Sequence, residues 1–509
     1  MKRSNGIQNI GIRIEKLSVS VFYLLVLLLF FILSYYSIGK TYVNSTNLAT
    51  EMVYGVEDNL LLNLLYCGVV LLIAGGILKC YDLSRNRVKL QFLAAFTVVI
   101  AIGTSILWLF MSKTAPVVDQ LRVVEYASAF NRGDFSALER GEYVGKNPQQ
   151  LGMITVLRLC FVLFGDKNYL PFQLMSAVCV GVLIAAGYGV LTYLGDEDSK
   201  LLYLLCMLTC IPLYIYVPFV YGEIPSTALL MVCAWLLLRG MRVGGWQNLL
   251  GVALSAGLAV QLRRNSLIIL IGFGIVLLVR LIATRDRRIG FLCLAMLLGI
   301  LLFQAGIKLL YLNKIPEDSK GMPASLYISM GLNENYGWYD FSHDVIFRDT
   351  GGDVEASDRI AKDRIRQFIL RCRQNPGFAT SFFTEKMNMQ WNAPMYHAIT
   401  MNGNIVGEQG AIARSVYHGR LWQVFNFYTN TYQLLVYGGI FGLLIIRKRE
   451  WRTLEPFLLL VGIYGGFLFT LIWETKTRYT LPYFLLMLPY GAMGIAALSR
   501  KVFPGRKNI

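Results

Sequence analysis

The chain is short of charge, of histidine and of any cysteine motif, and each shortage removes a class of function. Charged residues make up 16% of the 509, against 55% hydrophobic ones. A soluble globular chain does not need that much apolar residue, and few stay soluble with it. There are three histidines, His343, His397 and His418. The nine cysteines show no CxxC or Cys/His spacing, so no zinc site is written here. Acids are outnumbered by bases, 31 to 48, for a net charge of +17. Yet no stripe of Lys and Arg with interleaved aromatics stands on a soluble segment, so the excess is not a nucleic-acid footprint. The apolar runs lack period-two alternation, which excludes a membrane barrel. No internal repeat is visible, which weighs against a transporter built from inverted halves. No nucleotide-binding motif is present.

What is present is long apolar runs. A spanning helix needs about 20 mostly apolar residues to cross roughly 30 Å of hydrocarbon. Twelve segments qualify: 18–38, 59–79, 91–111, 169–193, 199–219, 223–240, 247–262, 265–283, 289–311, 429–446, 454–473 and 481–499. The expected fold is an all-α polytopic membrane protein of about 12 transmembrane helices. The first run is too long for a signal h-region and no small-x-small site follows it, so it is expected to stay as an anchor. The stretch 151–164 (LGMITVLRLCFVLF) is short and interrupted by Arg158. It reads as an interfacial or half-buried helix, with a full crossing as the alternative.

Basic residues set the expected orientation. They cluster at Lys2, Arg3, Arg13 and Lys16, then at Lys79, Arg85, Arg87 and Lys89. Further clusters are Arg239 and Arg242; Arg280, Arg285, Arg287 and Arg288; Arg447, Lys448, Arg449 and Arg452; and Arg500, Lys501, Arg506 and Lys507. With twelve crossings all of these fall on one side, the cytoplasm, and a thirteenth crossing at 151–164 would split them. This predicts a cell-membrane protein with both termini inside. Its parts are three spans in 1–111, an outer loop at 112–168, six spans in 169–311, a large outer segment at 312–428 and three spans in 429–509. Two helices are expected in the large segment: an amphipathic one at 354–372, and one at 376–391 able to lie on the membrane.

Four polar elements crowd the expected outer face. Asp119 lies about eight residues past the third span. It opens an amphipathic pattern with Val123, Tyr126, Ala127 and Phe130 on one face. An acid held there can serve as a general base, or simply favour a helix N-terminus. Glu223, in PFVYGEIPSTALL, sits in a tight turn between spans. It is either a site residue, since ionisable groups at such depth are costly, or a cap before Pro225 and Ser226. Arg263 and Arg264 break an apolar stretch on the side where bases are not expected. They either bind a phosphate or snorkel to headgroups. Glu474, Lys476, Arg478 and Tyr479 precede the last span, as a site or as an interfacial belt of bases and aromatics.

Together these elements resemble the GT-C superfamily of membrane glycosyltransferases. The likeness is to the branch with the protein O-mannosyltransferases and the lipid A aminoarabinose transferase, in its Gram-positive type. Asp119 is similar in place to that family's catalytic acid. Tyr143 to Gly152 (YVGKNPQQLG) followed by LFG at 163–165 resembles its Pro-containing loop entering an apolar helix. Glu223 is similar to its second acid, and Arg478-Tyr479 with Pro482 and Pro489 resembles its RY-x-x-P motif near the last spans. The resemblance implies transfer of a sugar from a polyprenyl-phosphate carrier to a cell-envelope acceptor, which is a glycopolymer, a glycolipid or a protein. It implies Asp119 and Glu223 as catalytic acids, and Arg263, Arg264, Arg478 and Lys146 on the donor phosphate. It implies Tyr143, Gln150, Tyr221 and Tyr479 in the substrate pocket. The partners are the carrier-linked sugar, the acceptor and the lipid bilayer, with no nucleic acid. No paired acid follows Asp119, where Gln120 stands instead, and no cofactor is implied. A polysaccharide polymerase or ligase and a transporter or flippase are the alternative classes.

Overall fold

A computed structural model of the chain describes residues 2–45, 52–84 and 89–503. Helix takes up 78% of it. Among the described residues ten helices are long and apolar enough to cross a bilayer: Gly11–Gly39, Leu60–Ser84, Leu90–Ser112, Leu170–Leu194, Glu223–Val243, Ser266–Thr284, Arg287–Leu310, Arg420–Ile446, Glu455–Ile472 and Leu481–Val502. Each falls on a run read from the sequence as a span. The chain is a multi-pass, helical membrane protein.

The other two expected spans are helical but shorter. Segment 199–219 folds as Glu197–Thr209 and then Ile211–Ile215. The helix breaks at Cys210 (ψ 78°), two residues before Pro212, which has no N–H to continue the ladder. The broken helix still regains the level at which its neighbour begins. Gln173, in the first turn of Leu170–Leu194, donates to the Pro218 carbonyl at 2.7 Å. Segment 247–262 is the 17-residue helix Trp246–Leu262. The stretch 151–164 is a 14-residue helix, only about 21 Å long at 1.5 Å per residue. Arg158, which interrupts it, is held by the Asn131 Oδ1 at 3.1 Å and the Tyr311 hydroxyl at 3.0 Å.

The last helix is the centre of the bundle. Of its apolar window 89% is buried, against 17% for Leu60–Ser84, so the first is enclosed by protein and the second faces outward. Its two ends carry different chemistry. At the C-terminal end Arg500 pairs with Asp82 and Asp198, each at 2.7 Å. Nearby in the chain's layout Arg447 pairs with Asp196 at 2.7 Å, and Arg280 bonds Glu15 and Glu455. Arg85, Arg87, Arg506 and Lys507 lie outside the described residues. The N-terminal end, about 33 Å away over the 22 residues of Leu481–Val502, follows directly on the turn Thr477–Tyr479, which carries Arg478 and Tyr479.

The segment 312–428 is helical. Val354–Gln374 is the amphipathic helix expected there, with Ser357 and Ala361 buried and Phe368 set edge-on to Phe382 at 4.8 Å. The helix read as able to lie on the membrane is present as Pro376–Trp391, and its residues 386–391 are inside the protein. Its polar side chains there bond to the 470–480 segment, which no surface helix could reach. A hairpin of Lys40–Asn44 and Val53–Glu57, antiparallel, is the one sheet among the described residues.

Candidate functional site

Asp119 opens the helix Asp119–Asn131. The residue before it, Val118, has φ 48° and ψ −121°. A β-branched residue at positive φ is strained by about 1–3 kcal/mol, and such strain persists only where the surroundings impose it. Two contacts impose it here. Gln120 is buried and bridges two elements: its amide nitrogen donates to the Met401 carbonyl and its Oε1 accepts from the Val220 N–H, both at 2.8 Å. The helix side read as apolar is buried at Val123, Ala127 and Phe130, and Tyr126 stacks on Tyr143 with centroids 5.6 Å apart. The Asp119 carboxylate is thereby aimed inward. Its Oδ2 lies 2.9 Å from Nη2 of Arg478, and its Oδ1 accepts from the Tyr143 hydroxyl at 3.2 Å.

A second acid–arginine pair stands beside the first. Glu223 opens the helix Glu223–Val243 and is buried. Its Oε1 lies 2.8 Å from Nη2 of Arg263, the residue ending Trp246–Leu262. Gly222 allows this approach: a Cβ there would lie 2.1 Å from the Leu262 carbonyl oxygen. Two aromatic rings join the pairs. Arg263 lies over the Tyr221 ring at 4.7 Å and Arg478 over the same ring at 5.8 Å. Both are 5.6 Å from the Tyr479 ring. The amide of Gln150 donates to the Tyr221 hydroxyl. A crevice opens against Arg263 and Arg478, and its lining also includes Ser226, Ser266, Tyr479, Leu230 and Ile269.

The segment 473–480 completes the site. The Tyr479 hydroxyl donates to Glu474 at 2.8 Å, and Lys476 pairs with Glu474 at 3.1 Å. Thr480 Oγ1 donates to the Gln390 carbonyl at 2.9 Å, and Asn44 of the hairpin reaches Thr477 at 3.5 Å. Burial pushes the Asp119 carboxyl up. The charges of Arg478 and Lys476, with hydrogen bonds from Arg478 and Tyr143, outweigh burial and hold it well below the usual carboxylate range. Burial, then the charge of Asp119, pushes the Tyr221 phenol up to about 12 against the pull of Arg263 and Arg478. Tyr221 therefore stays neutral between two cations.

Of the residues singled out in the sequence, Asp119, Tyr143, Gln150, Tyr221, Glu223, Arg263, Arg478 and Tyr479 converge on this one place. Two do not join it. Arg264 is exposed and lies outside the stack. Lys146 pairs instead with Asp344 at 2.7 Å, whose other oxygen accepts from Tyr339 at 2.9 Å. Among the described residues no three His, Cys, Asp or Glu side chains group as a metal site. No family model, curated protein or solved structure matches this chain.

Two contributors were not read from the sequence. Gln120 was noticed only as the missing second acid, whereas its amide ties the Asp119 helix to the Tyr221 turn. Lys386 carried no signal beyond being a lone base in FFTEKMNMQW. It is fully buried.

Proposed function

We propose that this protein moves a sugar from a polyprenyl-phosphate donor to a cell-envelope acceptor on the outer face of the membrane. The observation that carries the reading is the Asp119–Arg478 ion pair set beside a crevice whose lining includes the guanidinium groups of Arg263 and Arg478 together with the aliphatic Leu230 and Ile269. A lipid-linked phosphate calls for both kinds of lining. Its anion wants fork-shaped donors, and its hydrocarbon chain wants apolar surface.

In the proposed reaction an acceptor hydroxyl attacks the anomeric carbon, the C1–O bond to phosphate breaks, and the proton of the hydroxyl goes to Asp119. The configuration at C1 inverts. Positive charge builds on the sugar and negative charge on the leaving phosphate, which Arg478 and Arg263 stabilise electrostatically. A carboxylate held as low as Asp119 accepts protons poorly. An incoming phosphate competes for Arg478, however, and drawing that guanidinium from Asp119 raises its basicity. The donor thus prepares its own base. Glu223 keeps Arg263 oriented, and Tyr143 and Tyr221 line the acceptor side.

The membrane placement belongs to the same proposal. Twelve crossings, with 197–215 and 246–262 as the short ones, put both termini inside and 112–168 and 312–428 outside. The meeting of Asp119, Glu223, Arg263 and Arg478 supports it, because each lies at a helix end that this count puts outside. Impermeant thiol labelling of intact cells checks it, in a background freed of native cysteines. Asp363→Cys, at an exposed position of the amphipathic helix, should label, and Thr284→Cys, exposed between two spans, should not. The reverse pattern would sink the topology. For the function, mass spectrometry of cell-envelope glycans with and without the chain should show loss of one glycosyl substituent. An unchanged glycan profile would count against transfer.

A further inference from the structure

The transfer reading makes no use of Lys386, yet it is the most unusual charge in the protein. Its side chain is fully buried in the helix Pro376–Trp391. Among the described residues no carboxylate lies within ion-pairing distance of its ammonium. It is met by three backbone carbonyls instead: Gly331 at 2.5 Å, Trp473 at 2.7 Å and Tyr336 at 3.4 Å. An ammonium has three N–H donors, so the set is matched in number. The neighbourhood is built around it. Gly337 sits at φ 79°, and a Cβ there would lie 2.2 Å from the Lys386 Nζ. The same loop also holds the segment after Trp473: the Thr475 N–H donates to the Gly337 carbonyl at 2.8 Å, and Thr475 Oγ1 to the Tyr336 carbonyl at 2.6 Å.

We infer that Lys386 is a positioning residue: its ammonium clamps the 331–337 loop to Trp473 and so fixes the segment that holds Arg478 against Asp119. The physical case is one of orphaned carbonyls. Without the ammonium, the buried Gly331 carbonyl and the part-buried Trp473 carbonyl lose their charged donor, while Tyr336 keeps the Thr475 hydroxyl, and the cheapest relief is to let 473–480 move toward water. Burial pushes the lysine down to about 7, opposed by the charge of Glu474. Glu474 is the charged group facing it from the clamped segment, and that carboxylate is shared with Lys476 and Tyr479. The Phe382 ring, 6.0 Å away, faces it from its own helix. The clamp is therefore tightest when the amine is protonated and weakens as pH rises through neutrality. The inference assigns Arg478 the importance given to it above, but the clamp itself is measurable without any substrate.

Hydrogen exchange of the full chain in lipid nanodiscs is the test, read on peptides covering 473–480. Lys386→Met keeps the length and removes the charge. It should raise exchange there by about 10-fold or more, leaving the Arg500 end of the bundle unchanged. Lys386→Arg should restore part of the protection. Gly337→Ala, which intrudes on the clamp from the opposite side, should mimic Lys386→Met. Between pH 6 and 9, after correction for intrinsic exchange, wild-type protection should fall and Lys386→Met should be flat. Unchanged exchange at 473–480 in both Lys386→Met and Gly337→Ala overturns the inference, as does loss spread over the whole chain or a pH dependence that persists without the lysine. Decaprenyl phosphate is the probe that separates this from the transfer reading: if the wild type does not bind it, transfer fails while the exchange result decides the clamp.

Discussion

Asp119→Asn is expected to lower the proposed sugar transfer by about 10²- to 10⁴-fold, the usual cost of removing a positioned base. The asparagine keeps the shape and can still accept from Tyr143, so polyprenyl-phosphate binding should survive. It should even tighten, because Arg478 is no longer shared with a carboxylate. That combination separates a base from a structural partner. Loss of stability is expected on either reading, because Arg478 is left without its partner; a purely structural ion pair predicts turnover that falls only in proportion to folded protein. Single-turnover transfer in nanodiscs, normalised to correctly folded protein, checks it. Retention of more than about a tenth of wild-type turnover would show that Asp119 is not the base.

The second large effect is expected at Arg478, for two reasons that act together. Its side chain is 2% exposed and its partner 21%, so the pair is largely withdrawn from water. Removing one member of such a pair costs about 3–5 kcal/mol, because the other charge is left without compensation. Arg478→Gln should therefore destabilise the protein as well as weaken donor binding. Each charged hydrogen bond lost to the phosphate is worth about 1.5–3 kcal/mol, or roughly 10- to 150-fold. Arg478→Lys should recover charge but not the fork that faces both a carboxylate and a phosphate, and so rescue only in part. The double variant Asp119→Asn with Arg478→Gln should regain much of the lost stability, since no uncompensated charge remains, while staying inactive. A double-mutant cycle measures this coupling. If the two losses of stability simply add, the pair does not hold the site as described.

How much was legible beforehand follows from what each kind of residue reports. Hydrophobic length is a local property, and the ten long helices were visible as runs because lipid demands about 20 apolar residues in a row. The amphipathic helix at 354–374 was visible for the same reason, through its period. The candidate acids and arginines were visible as charges in places where charge is costly. Helix 376–391 was legible as a helix, but the burial of its last turns was not, because a mixed stretch such as FFTEKMNMQW reads the same whether its polar atoms meet headgroups or buried carbonyls. Lys146 and Arg264 read like Arg263 and Arg478, since sequence gives the charge of a side chain and not its partner.

The sequence by itself determined that this is a helical, multi-pass membrane protein, and which few ionisable residues were candidates for chemistry. The physical reason is that transfer into hydrocarbon is so unfavourable for charge that position along the chain already filters it. Only the tertiary structure decided which candidates meet. Asp119 and Arg478 are 359 positions apart in the chain and 2.9 Å apart in space. Their meeting depends on helix ends and on a glutamine bonded to both Met401 and Val220, and that of Glu223 with Arg263 on a glycine permitting close approach. These are contacts between distant segments, fixed by packing, for which no local pattern in the sequence carries a signal.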